Sequence, residues 1–153
     1  MAVRRTYRDR DELVDVLREA LAEQADVVAA YLYGSQARGT TGPLSDVDVA
    51  VLLGDDTDRS RRWLELASVL TNAVGDDLDL VVLNDAPAPL AYRVLRDGIV
   101  VLSRDERARI HHWTSTVREY LDTALLREAA RRGLRHRIEE GRFGRPRNSH
   151  QTS

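Results

Sequence analysis

The chain has 153 residues, 42% of them apolar and 31% charged, which suits one soluble domain with a single core. A net charge of −2 argues against a general nucleic-acid binder, and the absence of cysteine excludes disulfides and thiolate metal sites. No apolar run approaches the roughly 18 residues of a membrane span, and charged residues follow Met1–Arg5 where a signal peptide would be apolar, so a cytoplasmic protein is expected.

In chain order, Leu13, Val16, Leu17, Ala20 and Leu21 make a core-facing stripe, which predicts a helix from about Asp9, its cap, to Gln24. The apolar run Val27–Tyr33 reads as a buried strand that ends at Gly34-Ser35. A short helical turn is expected over Ser35–Arg38, followed by loop chemistry up to Ser45. Val47–Leu53 reads as a second strand. Thr57–Val74 reads as a helix with Trp63, Leu64, Leu66, Ala67 and Leu70 on its buried side, capped by Gly75. Leu78–Leu83 is the third strand, Pro89–Arg96 a short helix and Ile99–Leu102 the fourth strand. A long helix follows from Arg104 to about Arg132, where Gly133 weakens or ends it. The order gives an α/β (α+β) fold, a small mixed sheet flanked by helices. The domain is expected over residues 1–142, with a disordered tail over residues 143–153.

The chemistry concentrates in Tyr33-Gly34-Ser35-Gln36-Ala37-Arg38-Gly39 and Ser45-Asp46-Val47-Asp48. Side chains alternate along a strand, so Asp46 and Asp48 project to one side, about 7 Å apart. Such a pair repels unless it converges on a divalent cation, and a set of hard oxygen donors suits Mg²⁺ or Mn²⁺. Asp79 joins them if the third strand lies beside the second, and three carboxylates can hold two metal ions. Asp77 has the same parity and is a rival; Asp79 lies deeper in the apolar run. Gly34 permits close backbone approach, while the Ser35 hydroxyl and Arg38 guanidinium suit phosphate oxygens.

Gly34-Ser35, ten residues, then Asp46-Val47-Asp48 resembles the signature of the DNA polymerase β-like nucleotidyltransferase superfamily. Gly-Ser-x-Ala-Arg-Gly followed by Ser-Asp-x-Asp resembles its minimal nucleotidyltransferases. The segments Asp79–Pro87 and Tyr92–Gly98 resemble the MntA-like antitoxin branch of HEPN/MNT toxin–antitoxin modules. The resemblance covers about Val27 to Leu121. It implies a polymerase β-like fold and transfer of AMP from ATP, with Mg²⁺, to a tyrosine of a partner HEPN ribonuclease toxin, which silences the toxin. It also implies that Asp46, Asp48 and Asp79 are the catalytic and metal-binding set, and that Gly34, Ser35 and Arg38 bind the nucleotide. Two alternatives stay open: transfer to a small hydroxylated substrate such as an aminoglycoside, or an antitoxin that blocks its toxin by binding alone. A homo- or hetero-oligomer is expected, without membrane or direct nucleic-acid binding.

Other features read more simply. His111 and His112 are adjacent on a helix and point apart, so they are structural or interfacial rather than a metal pair. The stretch Arg127–Arg147 holds eight arginines against three acids, a solvated helix face or a surface for an acidic partner.

Overall fold

The computed structural model describes residues 9–38, 46–55 and 57–141. The expected tail over residues 143–153 lies outside the described residues. The elements are α1 (Arg10–Ala22), β1 (Val27–Tyr33), α2 (Gly34–Arg38), β2 (Val47–Leu53), α3 (Arg59–Val74), β3 (Leu78–Val82), a 3-10 turn (Leu83–Asp85), α4 (Ala88–Asp97), β4 (Ile99–Ser103) and α5 (Glu106–Glu139). The chain divides into two compact units, Met1–Val117 and Arg118–Ser153.

The first unit is built on one four-stranded sheet of order β3-β2-β1-β4. β1 pairs antiparallel with β2 and β4, and β2 pairs parallel with β3, so the sheet is mixed. The parallel pair needs a crossover, and α3 supplies it. Both sheet faces are covered, which is why the central strands are nearly continuous apolar runs. On one face, Leu13, Leu17 and Leu21 of α1 and Leu66, Leu70 and Val74 of α3 pack against Ala30, Leu32, Val49, Val51 and Leu80. On the other, Ala91 and Val94 of α4 pack against Ala29, Tyr31, Tyr33, Ala50 and Leu52.

Helix ends follow local chemistry. Asp9 caps α1, its Oδ1 accepting from the Glu12 N–H at 2.8 Å. Gly75 ends α3 at φ 103° with its N–H on the Thr71 carbonyl. Arg62 anchors α3 to the turn before β1: its Nε and Nη2 donate to the two Asp26 carboxylate oxygens at 2.7 and 2.8 Å, and Nη2 also reaches Gln24. The Asn84 side chain clamps the end of β2, accepting from Leu53 N–H and donating to Leu53 C=O, both at 2.9 Å.

Three expectations need correction. Trp63 and Leu64 are not core residues; they are 41% and 66% exposed, whereas Leu66 and Leu70 are buried as expected, together with Val74. Trp63 instead lies along the sheet edge, its indole N–H donating to the Leu80 carbonyl at 2.9 Å. Gly133 does not end the long helix, which runs on to Glu139: glycine costs a helix about 1 kcal/mol, less than the surrounding helix formers supply. Leu83 belongs to the 3-10 turn rather than to β3, where the Asn84 clamp turns the chain away.

In the second unit, α5 continues with exposed Leu121, Leu125, Leu126 and Ile138 beside exposed Arg127, Arg131, Arg132, Arg135 and Arg137. Arg127 also stacks over the Tyr120 ring, 5.4 Å from its centroid. No helix among the described residues is long and apolar enough to cross a membrane.

Candidate active site

Strand register sets the site. Tyr33 on β1 is the cross-strand partner of Asp48 on β2, and Asp48 is the partner of Asp79 on β3. Register partners project to the same face. The three side chains therefore form one row across the sheet, on the face that α4 covers. The flanking residues Leu78 and Leu80 pack into the opposite core. The row sits where the apolar strands end, so its polar groups reach an opening rather than the core.

That opening is a cavity of about 410 Å³ lined by Tyr33, Gly34, Asp48, Asp79, Leu90, Arg93 and Asp97. Gly34 begins α2 at φ 71°, a left-handed conformation that favours glycine. A Cβ at this position would run into the Asp48 carboxylate oxygen Oδ2. The missing side chain is what lets the turn lie against that carboxylate. Asp46 lies one residue before β2 and is exposed, outside the cavity lining. Ser35 and Arg38 belong to α2 by their backbone, but their side chains lie outside the described residues. Of the rival pair, Asp79 lines the cavity; Asp77 precedes β3, its carbonyl accepting from the Val47 N–H at 2.8 Å.

The carboxylates leave an electrostatic mark on Tyr33. Its hydroxyl is pushed up to about 12, first by burial and then by the negative charges of Asp48 and Asp79, with Arg93 acting in the opposite direction. The cavity thus holds two carboxylates on the sheet side, and on the α4 side the Arg93 guanidinium together with Asp97, which is paired with Arg96.

Asp48 and Asp79, adjacent and oxygen-only, fit a hard divalent cation. Among the described residues, no three Asp, Glu, His or Cys side chains gather closely enough to hold one as they stand. On the sheet side the cavity offers such a cation two carboxylates, Asp48 and Asp79, while Asp46 is exposed outside its lining. His111 is exposed and His112 half-buried beside Thr116; neither lines the cavity.

Sequence reasoning did not single out Tyr33, Arg93 or Asp97 as site residues. Arg93 and Asp97 lie four residues apart on α4, one turn of one helix face, but nothing in the sequence says that this face overhangs the aspartates.

Residues 15–107 match the family described as polymerase beta, nucleotidyltransferase. The chain is 36% identical over 90 residues to the protein adenylyltransferase MntA of Shewanella oneidensis, a match covering 59% of this chain and 62% of that protein. The chain therefore spans less than two thirds of that curated relative. It is also similar to a chain in a crystal structure of a toxin–antitoxin with AMP-PNP (TM-score 0.62, 30% identity, 79% of this chain and 94% of that one). A third similarity is to a chain in the structure of a tri-AMPylated Shewanella oneidensis HEPN toxin in complex with MNT antitoxin (TM-score 0.57, 27% identity, 79% and 91%).

Proposed function

Since the chain belongs to the polymerase beta nucleotidyltransferase family, we propose that it is an antitoxin that transfers AMP from ATP, with Mg²⁺, to a tyrosine of a partner HEPN toxin. The observation that carries this reading is the in-register pair Asp48 and Asp79 opening into a cavity beside the Gly34 turn. The similar proteins supply the acceptor class: one is named a protein adenylyltransferase, and another is bound to an AMPylated HEPN toxin.

In this reading Asp48 and Asp79, joined by Asp46, hold the metal. When bound, Mg²⁺ supplies charge neutralisation at the phosphates and lowers the pKa of a nearby hydroxyl. The acceptor tyrosine oxygen attacks the α-phosphorus, the bond from that phosphorus to the β-phosphate oxygen breaks, and pyrophosphate leaves. The hydroxyl proton passes to Asp79. Gly34, Ser35 and Arg38 hold the phosphates at the start of α2. The exposed apolar residues of α5, among them Leu121 and Leu125, give the toxin a surface to dock on, so the acceptor is delivered by the partner.

Incubation of the chain with ATP, Mg²⁺ and its purified HEPN partner should add AMP to the toxin, read by intact mass. Asp48→Asn should slow this at least about 100-fold, because charge stabilisation of the transferring phosphoryl group is lost. A wild-type chain that leaves its partner unmodified and active as a ribonuclease refutes the proposal.

A further inference from the structure

We propose that Arg93, on α4, is a phosphate-binding residue of the nucleotide site, gripping the triphosphate from the side opposite the aspartates. This rests on the proposed use of a nucleoside triphosphate. The argument starts from α4. Ala91 and Val94 of this helix are buried against the sheet, while Leu90, Arg93 and Asp97 fall at i, i+3 and i+7 and line the cavity. The packing of Ala91 and Val94 thus fixes the rotation of the helix and aims Arg93 across the opening toward the Tyr33–Asp48–Asp79 row.

The partners of Arg93 matter most. Its cavity neighbour Asp97 is taken by Arg96, whose Nε and Nη2 donate to the two Asp97 oxygens at 2.9 and 2.8 Å. Arg93 itself makes no hydrogen bond or ion pair with another described residue, although two further carboxylates line the same cavity. It nevertheless lies close enough to Tyr33 to pull its hydroxyl acidity against Asp48 and Asp79. An exposed guanidinium with its donors uncommitted among the described residues, facing the Asp48 and Asp79 carboxylates across a space of about 410 Å³, suits the non-bridging oxygens of a phosphate chain. Negative charge on the sheet side selects the metal; positive charge on the helix side selects the anion that the metal accompanies.

The rival is a counter-ion role, in which Arg93 merely offsets the aspartates. The two differ in a measurable way. Calorimetric titration of the full chain with α,β-methylene-ATP in Mg²⁺ should show Arg93→Ala binding at least about tenfold more weakly than wild type. Arg93→Lys should recover part of the loss, and Arg131→Ala on α5 should bind as wild type. Arg93→Gln keeps the helix-compatible length if the alanine variant folds poorly. Nucleotide affinity unchanged in both Arg93→Ala and Arg93→Gln, with tighter Mg²⁺ binding, establishes the counter-ion role and overturns the inference. A wild-type chain that fails to bind the analogue overturns it too. The toxin assay is separate. Arg93-dependent nucleotide binding without toxin modification refutes AMP transfer to the toxin and upholds the phosphate contact.

Discussion

Gly34 shows how one residue can serve a site by what it lacks. Its φ of 71° and the Asp48 oxygen beside it both exclude a side chain. Gly34→Ala should therefore displace the carboxylate and lower AMP transfer at least about 100-fold. Backbone strain at positive φ adds about 1–2 kcal/mol of destabilisation, and urea denaturation alongside the transfer assay separates the two effects. Tyr33 makes a second prediction. Its pKa is raised to about 12 in the folded chain, whereas the unfolded value is near 10. The unfolded state therefore loses its proton first, so the stability from this residue is intact below about pH 10 and falls away as the pH climbs toward 12. Tyr31, also raised chiefly by burial, acts in the same direction. Urea midpoints measured at pH 9 and pH 11 should differ less in Tyr33→Phe than in wild type. At this scale Gly34 and Asp48, which line the cavity while Asp46 lies outside its lining, were legible because their chemistry is local: a turn residue, and a carboxylate at the head of an apolar strand. Tyr33 was not, because an aromatic residue in an apolar strand reads as core until its cross-strand neighbour is known.

At the scale of elements, periodicity located every helix and strand of the first unit to within a few residues. The caps Asp9 and Gly75 fall where side-chain chemistry puts them. The errors have physical causes. α3 carries apolar residues on more than one face, and pattern alone does not say that Trp63 leaves the core to bond the edge carbonyl of Leu80. Of the two effects expected at Gly133, weakening or ending the helix, the end does not occur, because a single glycine lowers helix stability without supplying a stop. No described atom lies within 4 Å of where its Cβ would be, and its φ is not positive. Gly133→Ala should therefore strengthen α5 by about 0.5–1 kcal/mol, seen as increased helicity and a higher melting temperature by circular dichroism. A decrease would mean that the glycine is needed for contact with a partner.

For the whole molecule, the decisive information is the strand order β3-β2-β1-β4. The sequence shows four strands but not which are neighbours, and Asp79 reaches Asp48 only because β3 lies parallel to β2. Arg93 escaped notice for the same reason: its value comes from the rotation of α4 over a sheet edge, a long-range arrangement with no local signature. The sequence thus pointed to Gly34, Asp48 and Asp79 of the cavity lining, and topology supplied the rest.

The row Tyr33, Asp48, Asp79 draws on three strands, and Arg93 on a helix that follows them all. A ribosome releases these residues in that order, so the growing polypeptide carries the carboxylates of the cavity well before Arg93. On the proposed function, a fragment ending ahead of α4 should transfer no AMP. The strand β4, which pairs with the central β1, follows α4 in the chain, so AMP transfer would report that synthesis and folding had passed that last strand.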